Sequence, residues 1–341
     1  MKIVVHIGDG KTGSSSIQEY LEKSSESLSA DNIKYLGIML EHCDKILHPD
    51  WQFRGGSDRF FADEPSQASD QFLKSLQQEL CNADAAYDKA VISNEWIFSR
   101  PHHIVPALRH IQNMGHEVEV ILYVRQPVKW LISAYTQWGI KHKTYPGRVR
   151  PFKEWVKGRI PNYAEDIGIW KNEFQDRLRV FNYDELEDVV EHFCETIGTG
   201  FIPTMNKRVN VVPGQDYLDI WAFFNNQFEG EVVANHFEMV AKYIGIDKGL
   251  KKIGSHGDLM PTVSDVNDLQ DKLRSEISHL NTALHEQGQP TLAVEIPFTP
   301  SKGPSSWDID QWLLMMVFNL SDRVKQLQDQ INKMQKIEEK Q

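Results

Sequence analysis

Gly8-Asp9-Gly10-Lys11-Thr12-Gly13-Ser14-Ser15-Ser16 is the stretch that decides the fold. Before it, residues 2–7 (Lys2-Ile3-Val4-Val5-His6-Ile7) read as a short buried strand. After it, Ile17, Tyr20, Leu21 and Leu28 recur at helical spacing between Ser14 and Leu28. A strand, a glycine-rich loop and a helix start in succession aim backbone N–H groups at one point and favour a phosphate or sulfate there.

Working outward, Ala90-Val91-Ile92-Ser93, Val118 to Val124 and Leu178-Arg179-Val180-Phe181 read as further buried strands. Helical patterns lie around 66–82, 101–113 and 127–140. Alternation of this kind predicts an α/β fold, a parallel central sheet flanked by helices, with ligands at the carboxyl ends of the strands. Beyond Asp184 the pattern turns helical, at 184–197, 214–228, 232–244 and 263–286. The expected organisation is one domain over 1–300, with an α/β core at about 1–200 and a helical elaboration at about 201–300. A proline- and glycine-rich linker, Pro297 to Ser306, leads to an amphipathic helix at 308–337. There Leu313, Val317, Leu320, Val324, Leu327, Ile331 and Met334 form a heptad seam of about three repeats, which leaves open a homodimer or a helix docked on its own domain.

The formal charge of −11 argues against broad nucleic-acid binding. A basic island runs against it, with Lys141, Lys143, Arg148, Arg150, Lys153, Lys157 and Arg159 set against the single acid Glu154. It reads either as steering for an anionic ligand or as a solvated surface. Cys43, Cys81 and Cys194 have no paired metal-ligand spacing and read as buried thiols. No apolar run is long enough for a membrane span and the first residues do not read as a signal peptide, so the cytoplasm is expected.

The position of the lysine discriminates among the users of such a loop. A Walker A loop, G-x-x-x-x-G-K-[ST], sets lysine directly after its last glycine. Aligning on Gly8 and Gly13 puts Ser14 there, and the loop's lysine is Lys11. A triphosphatase also wants a carboxylate at a strand end to hold Mg²⁺, whereas the strand through Tyr123-Val124 is followed by Arg125. A sulfuryl group carries less charge than a phosphoryl group and need not bring a metal, so lysine and hydroxyls suffice.

His6-Ile7-Gly8 with Lys11-Thr12-Gly13-Ser14-Ser15-Ser16-Ile17-Gln18 resembles the 5′-phosphosulfate loop, K-[TS]-G-T-T, of sulfotransferases that use 3′-phosphoadenosine 5′-phosphosulfate (PAPS). Serines replace the usual threonines, and Gly10 stands where proline is common. Tyr123-Val124-Arg125-Gln126-Pro127 with Ser133-Ala134-Tyr135 resembles the 3′-phosphate motif of the same family, an arginine at a strand end and a serine eight residues on. Further stretches are similar to bacterial and Golgi-type members: Ser93-Asn94-Glu95, Val180 to Leu186, and Lys207-Arg208-Val209-Asn210, with Lys207 and Arg208 candidates to approach the nucleotide. Ser301-Lys302-Gly303 is a faint echo of the cytosolic members' glycine motif.

The resemblance implies a sulfuryl transfer from PAPS to a hydroxyl or amine, with 3′,5′-adenosine bisphosphate as product and no metal required. Gly10, Lys11, Thr12, Gly13, Ser14, Ser15 and Ser16 would hold the 5′ end, Lys11 neutralising charge on the leaving oxygen, and Arg125 and Ser133 would hold the 3′-phosphate. Glu95, at the end of a predicted strand, is the expected base. His48, His102 and His103 are alternatives, and His6 reads as structural. The acceptor is expected to be a glycan or a small molecule. In segment 42–62, His48, Trp51, Phe53, Arg54, Phe60 and Phe61 suit either a sugar ring with an acidic group or a loop packed on its own aromatics. A P-loop kinase or hydrolase and a non-catalytic assembly protein are the alternatives.

Overall fold

The computed structural model describes residues 1–83, 87–203, 215–244 and 259–299, with individual positions between 313 and 331. Lys207 to Asn210, Ser301-Lys302-Gly303 and part of the Pro297–Ser306 linker lie outside the described residues.

Five strands form one all-parallel sheet: β1 (Lys2–His6), β2 (Ile33–Gly37), β3 (Lys89–Ser93), β4 (Glu117–Val124) and β5 (Leu178–Asn182). Their order is β2-β3-β1-β4-β5. Register places His6 beside Ser93 on one side and Ile121 on the other. The chain leaves β1 toward β2 and leaves β4 toward β5, so the order reverses at the β1/β4 boundary. Ligands of open α/β sheets collect at the carboxyl ends of such a boundary. The expected parallel sheet is therefore present, with β2 an edge strand in addition to those read from the sequence.

The helices are α1 (Ser14–Lys23), α2 (Ser25–Ala30), α3 (Ser57–Phe60), α4 (Pro65–Ala83), α5 (Pro101–Asn113), α6 (Pro127–Ala134), α7 (Phe152–Trp155), α8 (Tyr163–Phe174), α9 (Val189–Ile197), α10 (Gln215–Asn225), α11 (Ala234–Ile244) and α12 (Val263–Glu286). One core joins Ile17, Tyr20 and Leu21 of α1 and Val190, Phe193 and Ile197 of α9 to Val4, Val91, Ile121 and Tyr123 of the sheet. Ile3 and Val5 alternate to the opposite face and are equally buried. A middle strand covered on both faces reads as an unbroken apolar run, which is why β1 is visible in sequence.

The pattern from Ser14 to Leu28 divides at Ser24 into α1 and α2, and two further patterns depart from their expected bounds for identifiable reasons. The pattern at 184–197 begins as α-helix at Val189, because the Asp188 side chain accepts from the N–H groups of Val190 and Glu191 and fixes the start. The pattern at 127–140 is α6 followed by a π-helical stretch, Tyr135–Lys141. Gly139 permits the wide turn, since a Cβ there would lie 2.3 Å from the Tyr135 ring.

The chain divides into two compact units. One comprises Met1–Trp130, Pro161–Val211 and Lys272–Glu295, and holds the whole sheet; the other comprises Leu131–Ile160, Val212–Asp271 and Ile296–Gln341. In the second, Lys143 is fully buried and donates to the carbonyls of Gly147 and Phe228. Cys43 and Cys194 are buried thiols as expected, whereas Cys81, near the end of α4, is exposed. Among the described residues no helix is long and apolar enough to cross a membrane.

Candidate functional site

The Gly8–Ser16 loop leaves the carboxyl end of β1 between its neighbours. The Ile7 N–H donates to the Ile121 carbonyl of β4 at 3.0 Å, and the Asn94 N–H just past β3 donates to the His6 carbonyl at 2.9 Å. Inside the loop the Thr12 hydroxyl donates to the Asp9 carbonyl at 2.5 Å. Gly13 takes φ +84° to start α1, and a Cβ on it would lie 2.5 Å from Val189. Both the backbone and the space there require glycine. Lys11 also occupies the left-handed region, at φ 70°, a conformation costly for a residue with a Cβ and found preferentially at functional sites.

The loop provides donors. The Ser16 N–H donates to the Gly13 carbonyl at 2.9 Å, while those of Ser14 and Ser15 precede the first bonds of α1 and carry the positive end of the helix dipole. Beneath them the Ser14 hydroxyl and His6 Nε2 are buried with no hydrogen-bond partner. Both atoms crowd Gly8, where a Cβ would lie 2.9 Å from the hydroxyl and 2.6 Å from the ring nitrogen. A buried polar group left unpaired costs free energy unless a ligand satisfies it. Ser15 is exposed and Ser16 half-buried, so Ser14 is the buried hydroxyl of the three. His6 is held by a 2.8 Å contact from Nδ1 to the Ser93 hydroxyl, and burial depresses its pKa to about 3, which keeps the ring neutral.

Arg125 follows β4 and reaches back to this loop, Nη1 donating to the Lys11 carbonyl at 3.3 Å. It also pairs with Asp184 at 3.5 Å, and Lys129 pairs with the same carboxylate at 3.3 Å. Arg125 Nε is buried without a hydrogen bond. So Arg125 both joins a structural ion pair and borders the loop. Ser133 is half-buried on α6 and belongs to the second unit.

Glu95 stands just beyond β3. Gln18 of α1 is buried and its amide donates to Glu95 Oε2 at 2.7 Å and to the Ser93 carbonyl at 3.1 Å. One side chain thus ties the expected base to the helix that begins with the loop. The alternative bases are placed differently. His48 stacks on Trp51 with ring centroids 5.5 Å apart, and His103 packs edge-on to Phe61 at 5.3 Å. Burial lowers the pKa of both. Segment 42–62 is largely packed by its own aromatics: Trp51 and Phe60 are buried, while Phe53 and Arg54 remain exposed.

Sequence reasoning misses Asp9 as a buried acid within the anion loop. The Tyr163 hydroxyl donates to Asp9 Oδ2 at 2.7 Å, and the Trp130 indole N–H donates to the Gly10 carbonyl. Burial raises the Asp9 pKa to about 7, against its hydrogen bond from Tyr163. Asp166, one turn after Tyr163, is raised by burial to about 6. The available signal is that a carboxylate beside a bound anion has to be neutralised or turned away. Its partner, 154 positions distant, cannot be read from local pattern. Among the described residues no group of three or more His, Cys, Asp or Glu side chains could hold a metal.

No protein-family model and no curated protein matches the chain. Among solved structures it is similar to the PezAT chromosomal toxin–antitoxin system of Streptococcus pneumoniae, at 12% identity, over 70% of this chain and 83% of that one, with a TM-score of 0.27. It is also similar to retinol dehydratase in complex with androsterone and the inactive cofactor PAP, at 13% identity over 66% of each chain with a TM-score of 0.25. For retinol dehydratase with retinol and PAP the identity is 11%, over 87% of this chain and 83% of that one, with a TM-score of 0.27. Likeness at this level carries no argument about activity.

Proposed function

We propose that this chain is a PAPS-dependent sulfotransferase acting on a hydroxyl or amine acceptor, a carbohydrate or glycoconjugate by preference. The observation that carries the reading is the loop after β1, whose lysine precedes its last glycine and whose buried Ser14 hydroxyl has no protein partner. The donor brings an activated sulfuryl group on a phosphate leaving group. Lys11, Ser14, Ser15 and the loop N–H groups hold the 5′ end, and Lys11 neutralises the charge that develops on the bridging oxygen, where stabilisation most accelerates the reaction. Arg125 takes the 3′-phosphate. Glu95, oriented by Gln18, accepts the proton of the attacking hydroxyl.

The kinase or hydrolase alternative is disfavoured by what surrounds the site. Asp184, which follows β5, is engaged by Arg125 and Lys129, and Asp9 by Tyr163. Both carboxylates are already partnered, and Glu95 beyond β3 is tied to Gln18. Incubation with labelled PAPS and a panel of glycans, lipids and phenols tests donor and acceptor together. Transfer of label supports the reading. Tighter binding of ATP·Mg²⁺ than of 3′,5′-adenosine bisphosphate overturns it.

We also propose that the chain pairs with a second copy through its C-terminal helix. Leu313, Val317, Leu320, Val324, Leu327 and Ile331 are helical and lie 48% to 59% exposed. Val317, Val324 and Ile331 occupy one heptad position and Leu313, Leu320 and Leu327 the other, the combination that favours two parallel strands. The positions flanking this seam in the sequence include the single cation Arg323 and no acid, so self-pairing sets no like charges opposite. Removing residues 308–341 is expected to halve the mass in solution, and an unchanged mass overturns the pairing.

A further inference from the structure

The turn beyond β3 carries exposed Trp96 and half-buried Arg100, which with half-buried Phe61 form a group that the proposed chemistry does not use. Trp96 directly follows Glu95 and is 37% exposed. Its ring stacks with Phe61 at 6.2 Å between centroids and 22° between planes. The Arg100 guanidinium lies 4.9 Å from the Trp96 ring centroid and 5.3 Å from that of Phe61, so one cation covers two aromatic faces. The turn beneath is fixed. Buried Asn94 accepts from the Trp96 N–H at 2.9 Å and donates to the Ile38 carbonyl at 3.2 Å, and the Arg100 N–H donates to the Ile97 carbonyl at 3.0 Å.

Arg100 is not consumed by an ion pair. Among the described residues no carboxylate lies within 4.0 Å of it, and its hydrogen bonds are single long ones from Nη1, 3.4 Å to the Trp96 carbonyl and 3.3 Å to the Ser99 hydroxyl. Asp58 and Asp166 act on it through space only, and His102 and His103 are the other titratable neighbours on its helix. A guanidinium stacked on aromatic rings keeps its planar fork of N–H donors, is held in one orientation, and matches a carboxylate or sulfate. An exposed indole beside it offers an apolar face to the C–H side of a sugar ring.

We propose that Trp96, Phe61 and Arg100 form the acceptor subsite and that its ligand is an acidic sugar, the ring lying on Trp96 and the anionic substituent on Arg100. This rests on the sulfotransferase reading for its place beside Glu95, which then faces a hydroxyl of the same sugar. Ligand class follows from the pairing of a flat apolar face with a planar cation outside any direct ion pair, a combination whose charged half a neutral sugar or a simple phenol does not use.

Calorimetry on the full chain with a glucuronate-containing tetrasaccharide and its carboxyl-reduced counterpart tests the proposal without requiring transfer. The acidic form is expected to bind at least tenfold tighter than the reduced one. Arg100→Met is expected to abolish that difference and to leave affinity for 3′,5′-adenosine bisphosphate unchanged, which also reports that the variant is folded. Should Arg100→Met not fold, Arg100→Lys keeps the charge but not the fork and is expected to reduce the difference severalfold. Equal binding of the two sugars, binding of neither, or a preference that survives replacement of Arg100 overturns the subsite. The donor reading fails by a different result, absence of bisphosphate binding in the unaltered chain.

Discussion

The loop Gly8–Ser16 and the segment Lys141–Arg159 both gather groups that attract anions, but the structure uses them in opposite ways. In the segment, Lys141 lies 5.3 Å from the Trp221 ring centroid, Arg150 lies 4.5 Å from that of Tyr145, and Arg159 lies 4.9 Å from that of Trp155 and donates to the Trp155 carbonyl. Lys143 is turned inward onto two carbonyls, and Lys153 reaches Asp265. Its cations largely serve packing. The loop carries one lysine, yet beneath it a hydroxyl and a ring nitrogen are buried with nothing to bond. Charge density in a sequence does not separate the two regions; what the loop adds is a helix start, whose N–H groups face one place, above a buried hydroxyl without a partner.

The contrast predicts a graded set of outcomes. The largest effect is expected for Lys11→Ala, which removes a charge that acts in the transition state and should lower kcat by roughly a thousandfold, a larger factor than its loss of bisphosphate affinity; a loss in binding alone would remove the loop's catalytic distinction. Arg125→Met comes next. It should weaken 3′,5′-adenosine bisphosphate binding by about tenfold or more in a direct titration, as expected for loss of a charged hydrogen bond, and an unaltered affinity would assign Arg125 to the Asp184 ion pair alone.

Asp9→Asn should act through pH. In the folded chain Asp9 keeps its proton to about pH 7, whereas its ordinary value is 3.8. The folded state therefore binds more protons across that interval, and stability falls as pH rises from about 4 to about 7. Asparagine cannot ionise, so the variant's Tm is expected to exceed the parent's by a few degrees at pH 8, on the order of 2–4 °C per kcal/mol, and to match it near pH 4. Parallel curves would show that Asp9 is not held protonated. The smallest effect belongs to the segment: Arg148→Ala with Arg150→Ala should change bisphosphate affinity by less than about twofold at moderate salt. A larger loss would restore the steering role.

How far the sequence exposes these features depends on the range of the interactions behind them. β1, β3, β4 and β5 are legible because strands buried on both faces are unbroken apolar runs, and α5 and α12 because their apolar stripes are regular. β2 escapes notice: at the sheet edge, Lys34 interrupts its short run and pairs with Asp44. α8 escapes because Glu165, Asp166 and Gly168 break its stripe. Lys11, Ser14 and Arg125 are named through the resemblance of two short motifs to a known family, and the structure places Arg125 against the loop. The Asp9–Tyr163 pair, the Gln18–Glu95 tie and the Arg100 stack join distant residues or depend on side-chain direction, which no local pattern encodes.

The place of β1 in the sheet also sets the order in which the site can be assembled during translation. β1 is the middle strand, and its two neighbours are β3 and β4. Until Val124 has left the ribosome, about 6 to 25 s after His6 at roughly 5–20 residues per second, one edge of this apolar strand has no native partner. The part of the site that is translated first is therefore among the last to take shape, and the nascent chain has to be kept from pairing β1 elsewhere in the meantime.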